Sequence, residues 1–167
     1  LISILFMSAC TSQTPHVPYT GYNLKIGVIG ELPIEAVNSK ISFETLSFND
    51  LSKSNDKKLD ANLIMEEHLL EASKHKYSQI YTELQVPIFF IGTHNLAAFF
   101  SDDIAYHEQE FQPGLPYAVG YSNGINYSNG INYSSGLYNS KKTEETLELF
   151  YSDLYRFIEN NDRVSAS

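Results

Sequence analysis

The sequence predicts a three-layer α/β domain built on a mostly parallel sheet and closed by a C-terminal helix. Three observations carry this. Leu24-Lys-Ile-Gly-Val-Ile-Gly30 and Val86-Pro-Ile-Phe-Phe-Ile-Gly92 are apolar, β-branched or aromatic runs that end at glycine, as buried strands do. Between Ala61-Asn-Leu-Ile-Met65 and the second of these runs, Glu67 to Gln85 carries Leu69, Leu70, Ala72, Ser73, Tyr77, Ile80, Tyr81 and Leu84 at helical spacing. Strand, helix and strand in that order make the crossover unit of a parallel sheet. Thr143 to Asn160 reads as the closing helix, with Thr143 as N-cap and Leu147, Phe150, Leu154, Phe157 and Ile158 on its apolar face.

The remaining elements follow in order. Pro33 to Lys40 predicts a helical turn, and Ile41 to Phe48 alternates imperfectly as a less buried strand. Residues 49–60 are a polar loop with room for one helical turn. Asn95 to Phe100 predicts a short helix, Tyr117 to Tyr121 a last strand, and 161–167 a frayed tail. The chain has 167 residues, so one domain over 24–160 is expected. Twelve Tyr and ten Phe supply its core and exclude wholesale disorder. The layout is similar to one flavodoxin-like or Rossmann-like half, too short for a two-lobed receptor.

Twenty acids against eleven bases give a net charge of −9, which excludes a broad nucleic-acid surface and disfavours lying flat on anionic lipid. A single cysteine excludes an intramolecular disulfide framework and a cysteine zinc cluster.

That cysteine has a telling neighbourhood. Leu1-Ile-Ser-Ile-Leu-Phe-Met-Ser-Ala-Cys10 is uncharged and mostly apolar, too short to span a bilayer, and gives way to Thr11-Ser-Gln-Thr-Pro15. An apolar run, small Ser8 and Ala9, a cysteine and a polar tether together resemble the lipobox of bacterial lipoproteins, with Met7 where leucine is commonest. The resemblance implies that 1–9 is a signal peptide, that Cys10 is acylated, and that 10–23 tethers the domain to the extracytoplasmic face of a membrane. Acyl chains at about 0.8 kcal/mol per buried CH₂ hold such a protein stably when two or more are present.

Ligands of open parallel sheets bind beyond the carboxyl ends of the strands. Glu31 stands there after the first strand, Glu66, Glu67 and His68 after the third, and Thr93, His94 and Asn95 after the fourth. Glu31, Glu66, His68, Thr93, His94 and Asn95 are therefore the candidate ligand-binding residues. No catalytic residue, resident metal or cofactor is assigned. The expected role is a binding or interaction module of the envelope, with membrane lipid as one partner and an envelope protein or small ligand as the other. The alternatives are a small hydrolase or metal-dependent enzyme using Glu31, His68 and His94, and a structural envelope component.

Other motifs read as background. Gly27-Val-Ile-Gly30 lacks the spacing of a phosphate loop, and Gly120-Tyr-Ser-Asn-Gly124 matches a nucleophile elbow at Ser122 but precedes no helix. Glu67, Glu71 and His75 make one stripe of the expected helix, and Asp102, Asp103, His107, Glu108 and Glu110 make an acidic loop. YSNGIN at 121–126 recurs at 127–132 and, degenerately, at 133–138. It reads as a loop lengthened by duplication, or as an aromatic surface of Tyr121, Tyr127 and Tyr133.

Overall fold

The computed structural model describes residues 17–123 and 131–165. Cys10 and the residues around it lie outside the described part, as do Tyr127 and the glycines of the repeat at 124 and 130. Six strands form one sheet in the order β2-β1-β3-β4-β5-β6. They are β1 (Leu24–Ile29), β2 (Ile41–Thr45), β3 (Ala61–Ile64), β4 (Ile88–Ile91), β5 (Ala118–Ser122) and β6 (Ile131–Ser135). The chain is an α/β protein with a mixed sheet and a C-terminal helix, α3 (Glu144–Ser165).

The first four strands are parallel, with Ile26 opposite Ala61 and Leu63 opposite Phe89. β5 and β6 run antiparallel, Gly120 facing Phe89 on one side and Tyr133 on the other. A wholly parallel continuation fails for a physical reason. Between β4 and β5 the only helix is a 3₁₀ segment, Leu96–Phe99, and one turn is too short to carry the chain back along the sheet.

Two apolar clusters form, and strand side chains alternate between them with period two. Phe89 and Ile91 join Ile26, Val28 and Leu63 against Phe150, Tyr151, Leu154, Tyr155 and Ile158 of α3. Ile88 and Phe90 join Ile29, Ile64, Leu51, Leu69, Tyr81 and Leu84. Phe90 stacks on Phe99 at 3.9 Å and meets Tyr81 edge-on at 5.3 Å. The β1–β2 connection places Ala36 in the first cluster, whereas the β2–β3 and β3–β4 connections place Leu51 and Leu69 in the second. Crossovers that step in opposite directions thus run on opposite faces, which keeps one hand throughout.

Tyr155 fastens the β1–β2 connection to α3 by donating its hydroxyl to the Ala36 carbonyl at 2.6 Å, in the core. Tyr155→Phe strands that carbonyl, and a loss of about 1–2 kcal/mol in urea unfolding is expected, with the midpoint moving and the slope unchanged.

Four expectations are corrected. The single helix over 67–85 is instead a 3₁₀ turn at Glu66–His68, α1 (Leu69–Ala72), a 3₁₀ turn at His75–Tyr77 and α2 (Ser78–Glu83). Lys74 is extended there, and Ser73 and Ser78 return their hydroxyls to the Leu70 and His75 carbonyls. The buried Ala72 carbonyl, freed by the break, accepts from the Tyr81 hydroxyl at 2.7 Å. The break also turns Leu70 outward, 54% exposed.

Second, the repeat is partly strand, since β6 lies within it. Tyr133 packs on Phe89 and Phe157, while Tyr121 packs on Phe100 and belongs to the other cluster, so the two tyrosines do not share one aromatic surface. Third, the closing helix, expected to end at Asn160, has helical backbone as far as Ser165. Fourth, the segment read as tether is fastened from Val17 onward. Tyr19 is buried in the first cluster, its carbonyl accepts from Asn38 at 3.0 Å, and Arg156 donates to the Val17 carbonyl.

Candidate functional site

β1 lies between β2 and β3, so the chain leaves it in one direction and later resumes on its other side. The carboxyl ends of β1 and β3 therefore flank a topological switch point, where the loops separate and leave a crevice. Gly30 ends β1 with φ +114°, a conformation side chains resist. The turn exposes the Glu31 amide, which donates to Glu67 Oε1 at 2.6 Å. A Cβ at Gly30 would lie 2.7 Å from the Cβ of Met65 and overlap the Glu67 carboxylate. Gly92 does the same after β4, with φ +91° and 2.8 Å from its notional Cβ to that of Glu66. Two strand-ending glycines thus seat two consecutive carboxylates.

A cleft opens on each side of this seam. The first, about 660 Å³, is walled among others by Gly30, Glu31, Ser47, Phe48, His68 and Tyr77. His68 presents its ring to Phe48 edge-on at 6.3 Å, and Phe48 stacks on Tyr77 at 4.6 Å. The second, about 490 Å³, is walled by Glu66, Glu67, Tyr106, Glu108, Gln109 and Glu110. Lys142 approaches Glu66 at 3.3 Å and lies over the Tyr117 ring at 5.2 Å. Burial, and then the Glu66 carboxylate, push the Tyr117 hydroxyl up to about 12. Burial with Glu66 and Glu108 likewise raises Tyr106.

Of the six candidate residues, Glu31 and His68 wall the first cleft and Glu66 the second. Thr93, His94 and Asn95 wall neither. Thr93 is buried and accepts the Asn95 amide at 3.2 Å, which makes that stretch a local turn. Among the described residues no group of three or more His, Cys, Asp or Glu is placed to hold a metal ion, so Glu31, His68 and His94 are not gathered into one. The expected stripe of Glu67, Glu71 and His75 is also dispersed, with Glu67 on the Glu31 amide, Glu71 among Lys74, Lys76 and Tyr77, and His75 on Asp102.

The acidic loop supplies Glu108 and Glu110, whose proximity to Glu66 and Glu67 no spacing rule reveals. Lys142 and Tyr106 carried no signal in the sequence, because only the folded chain brings 106, 117 and 142 to the ends of β3 and β4. Comparison with known proteins returns no matching family model, no matching curated protein and no matching solved structure. Four carboxylates, one aromatic ring and a single nearby lysine favour a cation over an anion.

Glu71, in the wall of the first cleft, offers a test of this local geometry. Lys74, then the Tyr77 hydroxyl and Lys76, hold its carboxyl down from 4.5 to about 2. The folded form prefers the ionised carboxylate, so this stabilisation is present above pH 4.5 and is lost as pH falls through about 2. The melting temperature of the parent is expected to fall more steeply than that of Glu71→Gln across this window, and parallel curves would contradict the assignment.

Proposed function

We propose that this chain is a lipid-anchored, extracytoplasmic binding module that takes a small cationic ligand at the switch point of its sheet. The observation that carries the site is the Glu31–Glu67 hydrogen bond, 2.6 Å long, which joins the ends of β1 and β3 between two clefts. Around it stand Glu66, Glu108 and Glu110, an acidic wall that draws positively charged groups in and repels anions. The support for the anchor is the Cys10 motif together with an acidic domain. Among the described residues no helix is long and apolar enough to cross a membrane.

The frame behind the site is proposed as a flavodoxin-like or Rossmann-like three-layer arrangement extended by an antiparallel hairpin. The order β2-β1-β3-β4 of its parallel strands supports this reading. An envelope protein presenting a basic segment, or a free amine, would be the partner.

The test is amide chemical-shift mapping of the full chain with arginine, putrescine and glutamate as probes. Shifts centred on Glu31, Glu66, Glu67 and Glu110 with the two cations, and none with glutamate, are expected. Glu67→Gln should weaken both cations. Perturbations that fall elsewhere, or that favour glutamate, would refute the site.

A further inference from the structure

Exposed apolar side chains gather where the chain enters the domain. Val17 is 55% exposed, Ile34 77% and Val37 65%. Pro18, Ile34 and Val37 line one cleft of about 210 Å³, and Val17 lines the next one together with the exposed Tyr138. Ile34 opens the 3₁₀ turn between β1 and β2 and Val37 follows it, and Ala36 of the same turn is buried in the cluster with α3, so this turn holds them outward on a fixed base.

The floor of the 210 Å³ cleft is polar. Glu35, Asn38, Glu148, Tyr151, Ser152 and Tyr155 wall it. Glu35 has no cationic partner among the described residues. Tyr151 is 1% exposed and its hydroxyl has no hydrogen-bond partner among the described residues. An apolar rim therefore surrounds one unanswered carboxylate and one unanswered hydroxyl donor.

We infer that this face docks on the bilayer, with Ile34, Val37 and Val17 entering the interface and the cleft receiving a zwitterionic headgroup whose ammonium meets Glu35 and whose phosphate accepts from Tyr151. The inference rests on the lipid-anchor reading, because what selects a bilayer as the occupant is the tether. Seven residue steps separate Cys10 from Val17, a reach of at most about 25 Å when extended. A domain held that close presents the face around Val17 to the membrane first. A charge of −9 and the Glu35 carboxylate in the cleft select a headgroup bearing an ammonium over an anionic one.

The chain has one cysteine and no tryptophan, so both the anchor and the reporter can be placed singly. The full chain is coupled through Cys10 to a maleimide lipid in vesicles of phosphatidylcholine and phosphatidylethanolamine with brominated acyl chains. Tryptophan is introduced by Ile34→Trp or, as a control across the sheet, by Leu70→Trp; unchanged circular dichroism confirms that each variant folds. Emission at position 34 is expected to shift to the blue and lose intensity, while position 70 stays as in water. Replacing phosphatidylethanolamine by phosphatidylglycerol should diminish the quenching at 34, and Glu35→Gln should remove that preference. Equal quenching at 34 and 70 would overturn the docking, and equal or stronger quenching on phosphatidylglycerol would overturn the headgroup assignment. Because the anchor is attached chemically, these outcomes do not depend on whether cells acylate Cys10, which the mass of the native N-terminus decides separately.

Discussion

Raising the pH from 10 to 12 is expected to unfold the domain in one cooperative step. Tyr81, Tyr117, Tyr151 and Tyr155 are buried, and burial is the leading cause that raises each hydroxyl above the ordinary 10.0. The folded chain holds their protons more tightly than the unfolded chain does. The stability they contribute is therefore complete below pH 10 and declines as pH rises through the folded values. Each such group costs about 1.4 kcal/mol per pH unit once the unfolded tyrosine ionises. Four together remove about 10 kcal/mol over two units, comparable with the whole stability of about 5–15 kcal/mol expected of a domain. Far-ultraviolet circular dichroism should be lost with a midpoint below pH 12, and the share of the tyrosinate absorbance that belongs to these four rings should rise with it. Dichroism retained at pH 12 with every tyrosine ionised would show that these rings are not buried as described.

Gly30→Ala is expected to cost about 2–4 kcal/mol, from a strained positive φ and from overpacking. The φ of +114° accounts for one part, and the overlap of the new Cβ with Met65 and the Glu67 carboxylate for the other. Gly114→Ala provides the comparison, since its φ is +86° but nothing lies within 4 Å of a Cβ there. It should carry the backbone part alone, about 1–2 kcal/mol. Denaturant unfolding of both variants isolates the packing at the switch point, and equal losses would mean that Glu67 is not seated against Gly30. Because Glu67 must move, Gly30→Ala should also weaken cation binding, whereas Gly114→Ala should not.

Much of the frame was legible in the sequence because its signals are local. The apolar runs at 24–30 and 86–92, with the weaker runs at 41–48 and 61–65, became β1, β4, β2 and β3, and the spacing of Leu147, Phe150 and Leu154 marked the buried face of α3. What periodicity missed was decided by hydrogen bonds and long-range pairing. Residues 67–85 kept helical spacing on paper, yet Ser73, Ser78 and Tyr81 satisfy backbone carbonyls around a break that hydrophobic spacing does not register. β6 hid inside a Gly/Asn repeat because its partner strand, β5, supplies the ladder that its own composition does not advertise.

The site was half legible for the same reason. Glu31, Glu66 and His68 follow strands, so their place at the carboxyl edge could be read directly. Thr93 to Asn95 follow a strand too, but a local turn withdraws Thr93 into the protein. Tyr106, Glu108, Glu110 and Lys142 reach the site from loops whose paths only the folded chain defines.

An acylated Cys10 would hold the domain on the extracytoplasmic face of a membrane. Mass spectrometry of the N-terminal peptide from membrane-extracted protein tests it most directly. The expected peptide begins at Cys10 and carries the mass of its acyl chains. An unmodified Cys10 with residues 1–9 still attached would contradict the anchor and the location that depends on it.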